Sequence, residues 1–216
     1  MSEFGHISPR IRENLIQGLK KQGITNLNVL EAIRNTPRHK FVEEALRHRA
    51  YDNDALPIGN SQTISQPYIV ARMTEALLAG DKLEKVLEVG TGSGYQAAVL
   101  ARLVKEVYSV ERISKMLPEV KSRLADIGAN NIQVKHGDGN KGWPEHAPYD
   151  GILVTAASAG VPTRLYDQLK IDGRIIIPIS TESTVQDLIE VTKTASEPKY
   201  KLLEKVRFVP MRSGRI

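Results

Sequence analysis

Residues 86–97 read VLEVGTGSGYQA, and this stretch decides the fold. Val86 to Val89 are a run of the kind found in strands that are covered on both faces. Three glycines follow within five residues, and they let the backbone approach a ligand where any Cβ would collide. The apolar residues after Tyr95 have a helical spacing. We therefore predict a strand, a glycine loop and a helix, the turn at which open α/β sheets bind nucleotide-like ligands.

The glycines alone leave the class of ligand open. Gly92-x-Gly94-x-x-Ala97, with Glu111 about 20 residues downstream, also satisfies the dinucleotide-binding fingerprint. Glu88 argues against that interpretation, because a carboxylate at the strand tip repels a pyrophosphate and favours a ligand with an ammonium or sulfonium group. An acid followed by alternating glycines resembles the first motif of the S-adenosylmethionine-dependent methyltransferases. A tight turn without any ligand is the remaining alternative.

Length and composition indicate one sizeable core. The chain has 216 residues, 41% of them hydrophobic, with no cysteine and five histidines that show no paired ligand spacing. We therefore expect neither disulfides nor a metal site. No apolar run approaches the roughly 18 residues of a membrane span, and the amino terminus lacks a basic and then apolar leader. The expectation is a soluble, cytoplasmic protein.

The net charge of +5 raises the question of nucleic-acid binding. Residues 199–216 contain six Lys or Arg residues and one Glu, so the basic surplus is a carboxyl-terminal feature. This segment lacks the interleaved aromatic residues of a base-stacking surface. We expect weak attraction to acidic partners and no dedicated nucleic-acid site, although a non-enzymatic nucleic-acid module stays an alternative.

The order of predicted helices and strands divides the chain into two parts after residue 56. Three short helices, near 9–23, 26–36 and 41–46, predict an amino-terminal helical extension over 1–56. Strand and helix patterns alternate from residue 83, which predicts a doubly wound, mostly parallel α/β sheet over 57–216. Further strands are expected at 106–111, 132–135, 149–155 and 173–178. A hairpin of 185–192 with 201–209 forms its antiparallel edge.

Candidate site residues stand at the predicted strand ends. Glu111 ends the second strand, where a carboxylate can accept the ribose hydroxyls of a nucleoside. Asp138 lies between two glycines and can accept a hydrogen bond from an exocyclic amine such as that of adenine. The small residues Thr155 and Ala156 leave room for a substrate. Ser65 lies in an irregular, hydroxyl-rich loop just before Gln66, the expected N-cap of the next helix, and Pro67, its expected first residue. From composition alone, ordinary loop hydrogen bonding near a helix start is favoured over a catalytic role for Ser65.

Six segments together resemble the protein-L-isoaspartate O-methyltransferase family: LPIG at 56–59, QTISQP at 62–67, LEVGTGSGYQ at 87–96, VER at 110–112, GDG at 137–139 and VRFVP at 206–210. They occur in the family's order across most of the chain, and the TISQP loop is specific to the family. The resemblance implies methyl transfer from S-adenosylmethionine to the α-carboxylate of L-isoaspartyl residues in damaged proteins, and more weakly to D-aspartyl.

The resemblance also implies roles for individual residues. Ser65 is the expected active-site residue. Cofactor contacts are expected at Glu88, Gly90, Thr91, Gly92, Gly94, Glu111, Asp138 and Gly139. Substrate contacts are expected at Thr63, Ile64, Thr155 and Ala156. The Lys/Arg-rich tail after Pro210 matches no motif of the family.

The expected chemistry agrees with these residue types. A carboxylate acceptor is already a nucleophile at neutral pH, so the enzyme needs alignment of the reacting atoms and no general base. Damaged or partly unfolded peptides are the expected substrates, and we expect a monomer. A small-molecule methyltransferase would share the cofactor motifs without needing the hydroxyl loop. A nicotinamide-dependent oxidoreductase would need an acid or base for hydride transfer, and no candidate stands out.

Overall fold

The computed structural model describes residues 8–80, 83–181 and 184–216. The helices are α1 (Pro9–Lys21), α2 (Leu27–Asn35), α3 (Pro67–Leu77), α4 (Tyr95–Leu100), α5 (Leu117–Asp126) and α6 (Thr163–Asp167). The strands are β1 (Leu56–Pro57), β2 (Thr63–Ile64), β3 (Lys85–Val89), β4 (Glu106–Glu111), β5 (Ile132–His136), β6 (Tyr149–Val154), β7 (Leu169–Ile179), β8 (Gln186–Thr192) and β9 (Lys199–Val206).

Seven strands form one sheet in the order β5-β4-β3-β6-β7-β8-β9. Strands β3 to β7 run parallel to one another, whereas β8 pairs antiparallel with both β7 and β9. The predicted doubly wound sheet with an antiparallel edge is therefore confirmed. Strand β4, which follows β3 in the sequence, lies on one side of β3, and β6 lies on the other side. The strand order thus reverses at the carboxyl end of β3, where such sheets bind ligands.

Local sequence signals explain the helix starts. The Ser8 hydroxyl accepts a hydrogen bond from the Arg10 N–H in front of α1. The Asn26 side chain accepts hydrogen bonds from two N–H groups of the first turn of α2. Helix α3 has Gln66 at its N-cap and Pro67 in its first turn, as predicted. These caps satisfy or remove donors that have no partner within the helix.

The amino-terminal helices pack directly on the sheet's own helices. One hydrophobic cluster joins Ile16 of α1 and Leu30 of α2 to Val99 of α4. Phe41 and Tyr95 meet edge to face, with ring centroids 5.4 Å apart. Hydrophobic contacts therefore cross the predicted boundary between 1–56 and 57–216, and the division into two parts stays a prediction.

Three segments differ from their predicted form. The helix expected at 41–46 is replaced by two 3-10 turns, Arg38–Phe41 and Glu44–Arg49. Here the buried Arg38 guanidinium holds irregular backbone by donating to the carbonyls of Ala50 (2.7 Å) and Asp54 (3.3 Å). The loop 56–67 contains the two-residue hairpin β1–β2, and β9 covers 199–206 instead of 201–209. No helix in the described ranges has the length and apolar character needed to cross a bilayer.

Candidate active site

A cavity of about 870 Å³ lies at the carboxyl ends of the central strands. Small-molecule sites commonly have volumes of about 300–1,000 Å³. Most of its wall comes from five segments of the chain: the glycine loop 90–93, the hydroxyl loop 60–66, residues 110–113 at the end of β4, Thr155–Ala156 after β6, and 205–212 at the end of β9 and beyond. The cavity therefore joins the predicted cofactor loop and the predicted acceptor loop in one space.

The glycine loop is held in a conformation that favours glycine. Gly90 and Gly94 have φ values of +96° and +89°. A Cβ on Gly90 would also collide with the Thr155 hydroxyl, which lies 2.7 Å from the Gly90 carbonyl and 3.0 Å from that of Val89. A Cβ on Gly92 would meet only Ile58, at 3.7 Å. The loop thus leaves open space beside Gly92, where a ligand can approach the backbone.

Glu111 braces this loop. Its carboxylate oxygens accept hydrogen bonds from the N–H groups of Gly92 and Ile113, each at 2.9 Å. Glu111 is 5% exposed and lines the cavity. Each carboxylate oxygen has a further lone pair, so Glu111 can accept hydrogen bonds from the hydroxyl groups of a ligand while it holds the loop.

Glu88 has a different position from the one expected. Its side chain is fully buried, does not line the cavity and is hydrogen bonded to the Ser109 hydroxyl, which lies 2.7 Å from the Thr91 hydroxyl. Burial raises the pKa of Glu88 to about 8, the nearby Glu111 carboxylate adds to the shift, and the Ser109 hydrogen bond opposes it. At neutral pH Glu88 is mainly an uncharged acid beneath the loop. The expectation that it presents a carboxylate to the ligand is wrong.

The Asp138 carboxylate faces the carboxyl-terminal tail. It accepts hydrogen bonds from the Asn140 N–H (2.9 Å) and side chain (3.1 Å) and from the Gly214 N–H (2.8 Å). Burial acts to raise the pKa of Asp138, but these hydrogen bonds outweigh it and lower the pKa. Gly139 lines the cavity, whereas Asp138 is not part of its wall. The structure thus brings the backbone of this turn, and not the carboxylate, to the cavity.

The hydroxyl loop forms the opposite wall. Thr63, Ile64 and Ser65 all line the cavity, Thr63 from an exposed position and Ile64 from a buried one. Ser65 is half-buried, and its hydroxyl makes no hydrogen bond to any residue that the structure describes. A hydroxyl in a cavity wall without an internal partner is available to a ligand.

Residues 205–212 also line the cavity, a position that the sequence patterns did not predict. Arg207 and Arg212 are exposed cations of this wall, and neither forms an ion pair within the described part of the chain. Lys205 is paired with Asp187. The surplus of positive charge in residues 199–216 is the feature of the sequence from which a cationic cavity wall could have been predicted. Within the same described ranges, no three His, Cys, Asp or Glu side chains are grouped to hold a metal.

Comparisons with known proteins agree with this geometry. The family model described as protein-L-isoaspartate (D-aspartate) O-methyltransferase matches residues 10–215. A protein-L-isoaspartate O-methyltransferase of Pseudomonas aeruginosa is 54% identical over 97% of this chain and 99% of its own length. Another from Nitrosococcus oceani is 55% identical over 94% of this chain and 95% of its own length.

The chain belongs to the protein-L-isoaspartate (D-aspartate) O-methyltransferase family.

Solved structures show the same fold. A protein-L-isoaspartate O-methyltransferase structure has a TM-score of 0.84 at 33% identity over 94% of this chain, which spans 66% of that longer chain. A Plasmodium falciparum protein solved in complex with S-adenosyl-L-homocysteine has a TM-score of 0.80 at 24% identity, with 93% of this chain and 98% of that chain covered. The family resemblance that the sequence motifs indicated is thereby confirmed.

Proposed function

We propose that this chain transfers a methyl group from S-adenosylmethionine to the α-carboxylate of L-isoaspartyl residues in damaged proteins, and more weakly to D-aspartyl residues. The observation that carries the proposal is the shared cavity, in which the unpartnered Ser65 hydroxyl faces the same space as the glycine loop and Glu111. Membership in the family supports the reaction and its cofactor.

The cofactor half of the cavity fits a nucleoside ligand. Glu111 can accept hydrogen bonds from ribose hydroxyls, the open space beside Gly92 leaves room for the amino-acid part, and Gly139 borders the space that remains for a base. S-adenosylmethionine, when bound, supplies an electrophilic methyl group on a sulfonium. Since Glu88 is mainly uncharged, it offers no strong argument against a dinucleotide, and the choice of cofactor depends on the family.

The acceptor half needs to hold a carboxylate and no general base. An isoaspartyl carboxylate is ionised at neutral pH, so the protein has only to orient one oxygen towards the methyl group. The Ser65 hydroxyl can donate a hydrogen bond to the other oxygen. Arg207 and Arg212 make the wall cationic, which favours entry of an anionic group. Thr63, Ile64, Thr155 and Ala156 border the same space.

The substrate is recognised largely through its backbone, because damage occurs in many sequence contexts. A partly unfolded segment can lie across the cavity mouth, whereas a compact domain cannot enter it. The monomeric state, the cytoplasmic location and the lack of dedicated nucleic-acid or membrane partners stay predictions from the sequence.

The test is transfer of labelled methyl from S-adenosylmethionine to two peptides that differ only in an isoaspartyl or a normal aspartyl linkage. We expect incorporation into the isoaspartyl peptide and background incorporation into its twin. A D-aspartyl peptide should be methylated more slowly. Equal labelling of the first two peptides, or of neither, would contradict the proposal.

A further inference from the structure

The outer edge of β9 is an unpaired strand edge. Strand β9 pairs with β8 on one side only, and no other backbone partner contacts Lys199–Val206 within the ranges that the structure describes. Its 8 residues give an edge of about 27 Å at roughly 3.4 Å per residue. Such an edge presents free N–H and C=O groups to an extended chain.

The side chains of this edge are unusual for a protected strand. Tyr200 and Leu202 are two apart, so they share one face, and they are 63% and 58% exposed. Lys199 and Lys201 alternate with them, are exposed, and form no ion pair in the described ranges. Lysines alone would guard the edge against pairing. An exposed tyrosine and leucine beside them instead provide apolar contacts for a bound strand.

The edge continues into the active-site cavity. Lys205 and Val206, the last residues of β9, line the cavity together with Arg207, and Ser65 lies in the opposite wall. The pairing of β9 with β8 shifts by one residue between Leu202 and Glu204, and the ladder is regular from Lys199 to Leu202. A peptide whose acceptor residue occupies the cavity can therefore pass this bulge and pair with the regular part of the edge. The lysines make this path basic, which favours an acidic segment.

We infer that the β9 edge binds the segment flanking the acceptor residue, as an added strand, and that it favours extended and acidic flanks. This inference rests on the proposed function, since the flank is defined by the isoaspartyl residue in the cavity. Strand addition uses main-chain hydrogen bonds, and it therefore suits an enzyme whose substrates share damage and not sequence.

The test compares isoaspartyl peptides of two lengths. A short peptide carries two residues on each side of the acceptor, and longer ones add six residues, Glu-rich or Lys-rich, to either the amino or the carboxyl side. With the wild-type enzyme, a Glu-rich flank on one side should lower KM roughly ten- to fiftyfold, as expected for two or three added ladder hydrogen bonds. A Lys-rich flank on that side should lower it less.

Synthetic peptides with N-methylated backbone amides in the flank distinguish strand addition from binding through side chains alone. Two peptides carry N-methyl groups on alternate flank amides, in the two possible registers. One register removes the N–H groups that face β9, and only this one should abolish the gain, because successive amides of a strand point to opposite edges. Equal loss or equal retention in both registers would overturn strand addition.

Protein variants test the edge itself. The double variant Tyr200→Thr/Leu202→Thr keeps residues that favour strands, and it should lose most of the decrease in KM that the flank gives. The double variant Lys199→Glu/Lys201→Glu should reverse the preference for Glu-rich flanks. The matched control is Lys105→Glu/Lys121→Glu, a double charge reversal of exposed lysines outside the cavity wall. All variants should methylate the short peptide at the wild-type rate.

Two further outcomes would overturn the inference. If the short peptide is methylated and no flank lowers KM, the edge does not bind substrate and the proposed function stands. If sedimentation shows a dimer that the Tyr200→Thr/Leu202→Thr variant dissociates, a second copy occupies the edge. Failure to methylate any isoaspartyl peptide would instead remove the proposed function, and the inference with it.

Discussion

Replacement of Ser65 by alanine separates a role in the reaction from a role in folding. Ser65 is half-buried and its hydroxyl has no hydrogen-bond partner among the described residues, so Ser65→Ala removes no internal hydrogen bond. We therefore expect the free energy of unfolding to change by less than about 0.5 kcal/mol. A purely structural serine would give a larger loss.

The expected effect on turnover is much larger. If the hydroxyl orients the acceptor carboxylate, Ser65→Ala removes one positioning hydrogen bond, worth about 1.4–4 kcal/mol in the transition state. This range corresponds to a fall of roughly ten- to a thousandfold in kcat. Affinity for S-adenosylhomocysteine should be unchanged, because the glycine loop and Glu111 are intact. Ser65→Thr should restore activity in part, since its hydroxyl remains and its methyl group crowds the loop.

The assay is kcat with a saturating isoaspartyl peptide, normalised to the concentration of S-adenosylhomocysteine-binding sites. Urea unfolding gives the stability of the same preparations. Ser158→Ala is the matched control, because the Ser158 hydroxyl donates to the Gly160 carbonyl at 2.7 Å and lies outside the cavity wall. It should lose up to about 1 kcal/mol of stability and keep its turnover. A Ser65→Ala enzyme with wild-type kcat would refute the role.

Three further predictions concern the acids around the cavity. Glu111→Ala leaves the Gly92 N–H without its partner, which should cost about 1–3 kcal/mol of stability. The variant should also bind S-adenosylhomocysteine at least tenfold more weakly, as measured by calorimetry. Unchanged affinity would rule out the contact between Glu111 and the cofactor. The pKa of Glu88 is raised to about 8 from 4.5, so the folded protein holds a proton that the unfolded chain releases between these values. Between pH 5 and 8, the stability of the wild type in urea should therefore fall relative to that of Glu88→Gln as pH rises, by up to about 1.4 kcal/mol per pH unit. Asp138→Ala removes the hydrogen bond from Gly214, and trypsin should then cleave after Arg212 faster than in wild type; equal cleavage rates would show that Asp138 does not hold the tail.

The parts of the site that are local in sequence could be predicted. The strand, the glycine turn and Glu111 lie within 26 residues, 86–111, and their order along the chain determines that a carboxylate ends the strand next to the loop. The strand and the turn follow from short-range rules for strands and turns. The TISQP loop was assigned to the site by the family resemblance alone, and the role of Ser65 stays a prediction.

Features that depend on tertiary packing could not be predicted. Glu88 looks like a strand-tip carboxylate in the sequence, but alternation in the strand directs its side chain to Ser109 on β4, away from the cavity. Asp138 binds Gly214, 76 residues further along the chain. The cationic wall of Arg207 and Arg212 required the tail to cross the strand ends, and no local pattern specifies that path.

The position of the transferred methyl group tests the central claim most directly. The enzyme is incubated with isotope-labelled S-adenosylmethionine and an isoaspartyl peptide that also contains normal aspartyl and glutamyl residues, and the product is mapped by tandem mass spectrometry. We predict one label, located on the α-carboxylate of the isoaspartyl residue. A label on a side-chain carboxylate of a normal residue, or on a nitrogen atom, would contradict the account.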